Sequence, residues 1–217
     1  QIGKDEGLLK RAPSKGLGMH AVGIDIGGTK IAAGVVDAQG ALLATTRRDT
    51  NPEEPSDIED AVVDAVAELR RDFEVSAVGV AAAGFVDPTR SKVMFAPNIA
   101  WRDYPLREIL EARLELPVDV ENDANAAGWG EFRFGAGRDV SDMVMLTVGT
   151  GLGGAIVLDG NLLRGAAGAA AEVGHMRVVP NGRACGCGHD GCWETYVSGT
   201  ALVREPRAAL APDPARA

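Results

Sequence analysis

No apolar run in this 217-residue sequence is long enough to cross a bilayer, so no helical membrane anchor is expected within it. Residues 1–18 are basic and contain glycine, but lack the apolar stretch of a secretory signal. No cluster of Lys and Arg stands out, and the formal net charge is −9. Unaided nucleic-acid binding needs a basic footprint and is therefore disfavoured. Cysteine is scarce: Cys185, Cys187 and Cys192 are the whole complement. An odd, tightly clustered set without a secretion signal argues for metal binding over disulfides, and for the cytoplasm.

What remains is an ordinary globular composition, 46% hydrophobic, with enough apolar surface for a core. Ala21–Ile26 and Ile31–Val36 predict two strands around the turn Gly27–Lys30, and Ala41–Thr46 a third. Apolar residues at 58, 61, 62, 65, 66 and 69 have helical spacing, with Ser56 or Asp57 as capping candidates. A buried-type strand follows at Val75–Val80, running into the small-residue stretch Ala81–Gly84. Next come a helix over Leu106–Leu116 stopped by Pro117, a strand at Val118–Glu121 and a helix over Asn122–Phe132. Met143–Val148, a glycine turn over Gly149–Gly154 and Ala155–Leu158 repeat the opening pattern. A loop-rich stretch extends to Cys192, and Trp193–Leu202 has helical character. This order predicts an α/β architecture of two related halves around a cleft. Residues 1–18 are expected to be a disordered N-terminal extension before Met19. Residues 19–120 would form a small α/β domain, and 121–217 the start of a larger one.

Three kinds of motif carry chemistry. In Asp25–Ile26–Gly27–Gly28–Thr29–Lys30 the glycines let backbone N–H groups approach phosphate oxygens, and Thr29 and Lys30 add a hydroxyl and a cation. Asp25 ends a strand and can face Mg²⁺. The second glycine motif, Gly149–Thr150–Gly151–Leu152–Gly153–Gly154, lacks the Lys-Ser/Thr ending of a Walker loop and sits between strands. In Glu121–Asn122–Asp123–Ala124–Asn125, Asp123 suits the carboxylate that accepts a hydroxyl proton during phosphoryl transfer, with Asn122 bonding a neighbouring hydroxyl. The same residues also suit a helix cap, and both readings stand. His175, Cys185, Cys187 and Cys192 form a Cys₃His set suited to a closed, structural zinc site, with His189 as a competing ligand. Glu172 and Glu194 flank that set as acceptors for sugar hydroxyls, or as surface acids.

Taken together, these motifs resemble the ROK family (repressors, open reading frames and kinases), and within it the actinobacterial-type glucokinases. The similarity runs from Met19 to about Arg207 and is most specific in Glu172–His175 and Cys185–Glu194. It implies the actin/hexokinase-like (ribonuclease H-like) two-domain sugar kinase fold, with the second domain incomplete. It implies ATP-dependent phosphorylation of glucose with Mg²⁺ and a structural Zn²⁺, commonly in a homodimer. Asp123 would deprotonate the sugar 6-hydroxyl. Asn122, Glu172, His175 and Glu194 would bind the sugar, joined by Asn98 and the backbone near Gly84. Asp25, Gly27, Gly28, Thr29, Lys30, Thr150 and Gly151 would hold the ATP phosphates. Ala155 stands where that subfamily often has a third glycine. Family members also continue well past Leu202 with helices and a glycine-rich segment near the adenosine. An N-acetylmannosamine or N-acetylglucosamine kinase, a sugar-responsive repressor and an inactive remnant are the competing readings. Residues 1–18 are too short for the winged helix-turn-helix of such a repressor.

Overall fold

The computed structural model describes residues 20–210, with side chains as far as Arg204. The expected extension over 1–18, the start at Met19 and the end of the Ala/Pro-rich tail lie outside the described residues. The chain divides into two compact units, the first ending at Asp123 and the second beginning at Ala124.

The first unit is built on a five-stranded sheet. Strands β1 (His20–Ile26), β2 (Lys30–Val36) and β3 (Leu42–Asp49) form an antiparallel meander. On the other edge of β1, β4 (Val75–Ala82) pairs in parallel, and β8 (Val118–Asn122) pairs in parallel with β4. The order is therefore β3-β2-β1-β4-β8. Alternation in β1 buries Val22, Ile24 and Ile26 and leaves Gly23 and Asp25 exposed. Helix α1 (Pro55–Leu69) buries Ile58, Ala61, Val62, Ala65, Val66 and Leu69 and lies against β2 and β3. Burial of each large aliphatic on this seam stabilises by roughly 1.5–3 kcal/mol.

The start of α1 differs from expectation. The cap position is Glu54, which makes no side-chain capping bond, and Pro55 opens the helix. Proline fixes a helical φ and has no N–H to leave unpaired, so Ser56 and Asp57 fall inside the first turn. Helix α2 (Leu106–Leu114) ends two residues before expected, because Glu115 takes a left-handed conformation, φ 53°.

Between β4 and α2 lies a small sheet that the periodicity does not show: β5 (Phe85–Val86), β6 (Val93–Phe95) and β7 (Arg102–Tyr104). Its β5–β6 turn is organised by Asp87, which accepts bonds from the N–H groups of Thr89, Ser91 and Lys92. Burial pushes this carboxyl upward. The bonds from Thr89, Lys92 and Ser91 outweigh that and hold it well below the usual carboxylate range.

The second unit opens with α3 (Asp123–Phe134), whose first residue closes the first unit, followed by β9 (Met143–Val148), β10 (Leu152–Leu158) and β11 (Asn161–Leu162) in the order β11-β10-β9. Ala155, Val157 and Leu162 form its small core with Trp129, Phe132, Met143 and Met145. The second glycine turn is shorter than expected, because β10 begins at Leu152. Gly154 is a strand residue, and a Cβ there would lie 2.9 Å from the Ala171 carbonyl oxygen. Its smallness serves close packing instead of turning. The segment expected as one helix over Trp193–Leu202 is two, α4 (Glu194–Val197) and α5 (Gly199–Leu210). Ser198 breaks it with an extended backbone, and its Oγ accepts the Ala201 N–H at 3.2 Å. Among the described residues no helix is long and apolar enough to cross a membrane.

Candidate functional site

In the first unit the β1–β2 turn is closed by the Gly27 N–H donating to the Lys30 carbonyl at 3.0 Å. The Thr29 carbonyl accepts the Thr50 N–H at 2.9 Å, which ties the turn to the end of β3. Thr29 and Lys30 are exposed, as is Asp25. Hydroxyl, ammonium and carboxylate are thus exposed at or beside one small turn.

The segment at the β8–α3 junction brings several of the singled-out residues together. Asn122 is the last residue of β8, and Asp123 is exposed in the first turn of α3. The Asn122 amide donates to the Gly84 carbonyl at 3.1 Å and to Asp123 Oδ1 at 3.2 Å. This fixes the amide orientation and holds one carboxylate oxygen. Gly84 in turn presses on the loop that carries Asn98. A Cβ at Gly84 would stand 2.5 Å from the Phe95 carbonyl oxygen and 3.1 Å from the Ala96 Cα. Asn98 is exposed on that loop, and a Cβ at Gly28 would lie 3.6 Å from its own Cβ. Gly28, Thr29, Pro52, Asn98, Ile99 and Arg102 are among the residues lining a cavity of about 700 Å³.

In the second unit the turn between β9 and β10 contains Gly149, Thr150 and Gly151. The Gly149 carbonyl accepts the N–H of Gly199, the first residue of α5, at 2.7 Å. The Thr150 carbonyl accepts the Thr200 hydroxyl at 2.7 Å. A Cβ at Gly151 would come within 3.0 Å of a Glu194 carboxylate oxygen. The second glycine turn therefore meets a helix N-terminus and an acidic side chain, which spacing alone does not foretell. Glu172 precedes the short 3₁₀ turn Val173–His175, and its carbonyl accepts the His175 N–H at 3.1 Å.

The ligand atoms of His175, Cys185, Cys187 and Cys192 all lie within 4.8 Å of one another. Sγ of Cys187 and Sγ of Cys192 are 3.6 Å apart, as are Sγ of Cys185 and Nδ1 of His175. A tetrahedral zinc site asks for ligand separations of about 3.7 Å, so the donor set fits that ion in number, type and spacing. His189 also approaches, with Nδ1 3.6 Å from the Cys187 sulfur, but stands outside the four-donor group. Glu194 Oε1 accepts from the Cys185 thiol at 3.0 Å and lies 3.6 Å from His175 Nδ1. Burial and the Glu194 carboxylate push the Cys185 thiol up to about 12. Burial also acts upward on Cys187. Hydrogen bonds from His189 and the two other thiols outweigh it and bring that thiol down to about 6.

One residue that the motifs pass over is Arg102, whose guanidinium Nη1 contacts three carbonyls of the Asn98 loop. Nothing in the spacing marks it. Its part depends on a loop geometry that only the folded chain shows.

Residues 21–215 match the model of the family described as the ROK family. The chain is 54% identical to a glucokinase of Streptomyces coelicolor over 196 residues, 90% of this chain and 62% of the relative. It is similar to the solved structure of a ROK family glucokinase from Streptomyces griseus in complex with glucose and AMPPNP. There the TM-score is 0.80 at 55% identity, covering 89% of this chain and 62% of the other. A xylose repressor of Bacillus subtilis is 31% identical over 190 residues, 85% of this chain and 49% of the repressor. The chain thus spans 62% of the length of the Streptomyces glucokinase it matches.

Proposed function

The chain belongs to the ROK family, and from that premise we propose that it carries the catalytic segment of an ATP-dependent glucokinase. The carrying observation is the Gly84–Asn122–Asp123 arrangement, in which an oriented strand-end amide holds a helix-start carboxylate in place. Asp123 takes the proton of the glucose 6-hydroxyl as its oxygen attacks the γ-phosphorus of ATP. The new O–P bond forms while the bridging bond to the β-phosphate breaks, and ADP leaves. Asn122 and Asn98 bind sugar hydroxyls in the first unit, as do Glu172, His175 and Glu194 in the second. Asp25, Gly27, Gly28, Thr29 and Lys30, with Thr150 and Gly151, take the ATP phosphates. Mg²⁺, when bound, neutralises charge on those phosphates.

His175, Cys185, Cys187 and Cys192 would hold zinc, which supplies a structural cross-link. Nδ1 is the His175 nitrogen beside the Cys185 thiol, so Nε2 is left for a sugar hydroxyl. Glu194, against both Cys185 and His175, joins that loop to the sugar face. The kinase reading is favoured over the repressor by the 54% identity to a glucokinase against 31% to a repressor. The protein is expected to work as a cytoplasmic homodimer. A coupled assay with ATP and Mg²⁺ across hexoses, at the length of the relatives, tests the assignment. Glucose should be the best substrate. Preference for an N-acetylated hexosamine would overturn it.

A further inference from the structure

The loop Ala96–Trp101 joins two strands that pair side by side, with Phe95 opposite Arg102 at its base. Alternate anchoring holds it down: Ala96, Ile99 and Trp101 are buried, while Pro97, Asn98 and Ala100 face outward. Trp101 stacks on Tyr104, ring centroids 5.5 Å apart at 13°. The Ala100 N–H donates to the Pro52 carbonyl at 3.0 Å. These contacts fix the ends and the outer side of the loop. The Ile99 carbonyl also accepts the Trp101 N–H at 2.7 Å, which leaves the Ala96 and Trp101 carbonyls to be met from elsewhere.

Arg102 meets that need. Its Nη1 donates to the Ala96 carbonyl at 3.1 Å and the Trp101 carbonyl at 2.6 Å, with the Ile99 carbonyl at a longer 3.4 Å. One nitrogen thus gathers carbonyls from the beginning, middle and end of the loop. The guanidinium also lies over the Phe95 ring, 4.2 Å from its centroid. Among the described residues Arg102 forms no ion pair with a carboxylate. Its charge is spent on backbone dipoles that would otherwise repel one another at close range. Asn98 projects from the outer side of the curl so formed, beside Gly28 and on the wall of the same cavity as Arg102.

We propose that Arg102 is a positioning residue: it curls the Ala96–Trp101 loop around its guanidinium and so sets Asn98 for the hexose. This rests on the reading of Asn98 as a sugar contact. Arg102 does not itself touch the reacting atoms. Methionine at 102 keeps an unbranched stem without donors. Lysine keeps a charge and three donors, but places them as a point instead of a planar fork.

Hydrogen exchange and glucose titration of wild type, Arg102→Met, Arg102→Lys, Asn98→Ala and the Asn98→Ala/Arg102→Met double variant test this. Exchange is read on the 217-residue chain and glucose affinity on the protein at the length of its relatives. Exchange at the Ala100 and Trp101 amides should rise about tenfold or more in Arg102→Met and by less in Arg102→Lys, with helix α1 unchanged. Glucose affinity should fall about tenfold in Arg102→Met, recover in part in Arg102→Lys, and fall no further in the double variant than in Asn98→Ala. Unchanged loop exchange in Arg102→Met would overturn the proposal, as would additive losses in the double variant. If Asn98→Ala leaves glucose affinity intact, the reading of Asn98 fails and the link to the sugar fails with it. A wild-type protein that takes up no glucose sinks the glucokinase assignment, and loop exchange alone then decides the part played by Arg102.

Discussion

At the scale of single residues, Asp123 combines two features that a sequence reading leaves as rivals. It begins a helix, where a carboxylate is electrostatically favoured, and it is exposed beside an amide that bonds one of its oxygens. Asp123→Asn keeps shape and most hydrogen bonding but cannot accept the hydroxyl proton. Turnover at the length of the relatives should fall about 10²–10⁴-fold with glucose affinity nearly kept. Turnover close to wild type would reduce Asp123 to a helix start. Cys187 tests the metal reading separately. Purified protein should contain about one zinc ion per chain. Cys187→Ser should lose that ion and melt at a lower temperature. Elemental analysis and thermal melts measure both, and unchanged melting of a metal-free protein would refute the site.

At the scale of elements, Gly84 is where the end of β4 meets the turn out of β6. Gly84→Ala must displace either the Phe95 carbonyl or the strand end, because the clash is with backbone and no side chain can swing away. A loss of roughly 1–3 kcal/mol is expected in denaturant unfolding, together with weaker glucose binding through Asn122 and Asn98. Gly23→Ala, with open space around it, serves as the control. An equal effect of both substitutions would show that crowding at Gly84 is unimportant.

Elements with several repeats of a period were legible in the sequence. Helix α1 shows its whole buried stripe there, and β1 shows as an apolar run that starts one residue inside the observed strand. Strands β5 to β7 were not, because two or three residues carry no period and are held by their partners alone. Ser198 looks like any polar residue of a helix until its hydroxyl is seen capping the next one. The residue types of the candidate site were readable from motifs. The contact of Gly84 with the Asn98 loop, the bond from Asn122 to Gly84 and the staple of Arg102 were not, since each joins segments distant in sequence or depends on loop curvature.

At the scale of the molecule, strand β9 turns Val144, Leu146 and Val148 outward, 66%, 43% and 64% exposed. Strand β10 pairs with one of its edges, and among the described residues no strand pairs with the other. An apolar face beside an unpaired edge favours association. The 217-residue chain should therefore self-associate with rising concentration. Light scattering checks this, and a chain that stays monomeric would contradict it.

The parallel pairing of β1 with β4 also bears on how quickly the first unit reaches its final state. His20 lies opposite Val75, and the chain between them contributes two more strands and a helix. The β1–β3 meander closes through short turns, so it can form on the microsecond scale of hairpins, whereas the central pairing must wait for a long loop to close. Until then Ile24 and Ile26 line a half-built sheet in water. Refolding followed by pulsed hydrogen exchange should protect amides shared by β1 and β2 before those of β4 and β8, and crowding the chain during that interval should divert it into aggregates.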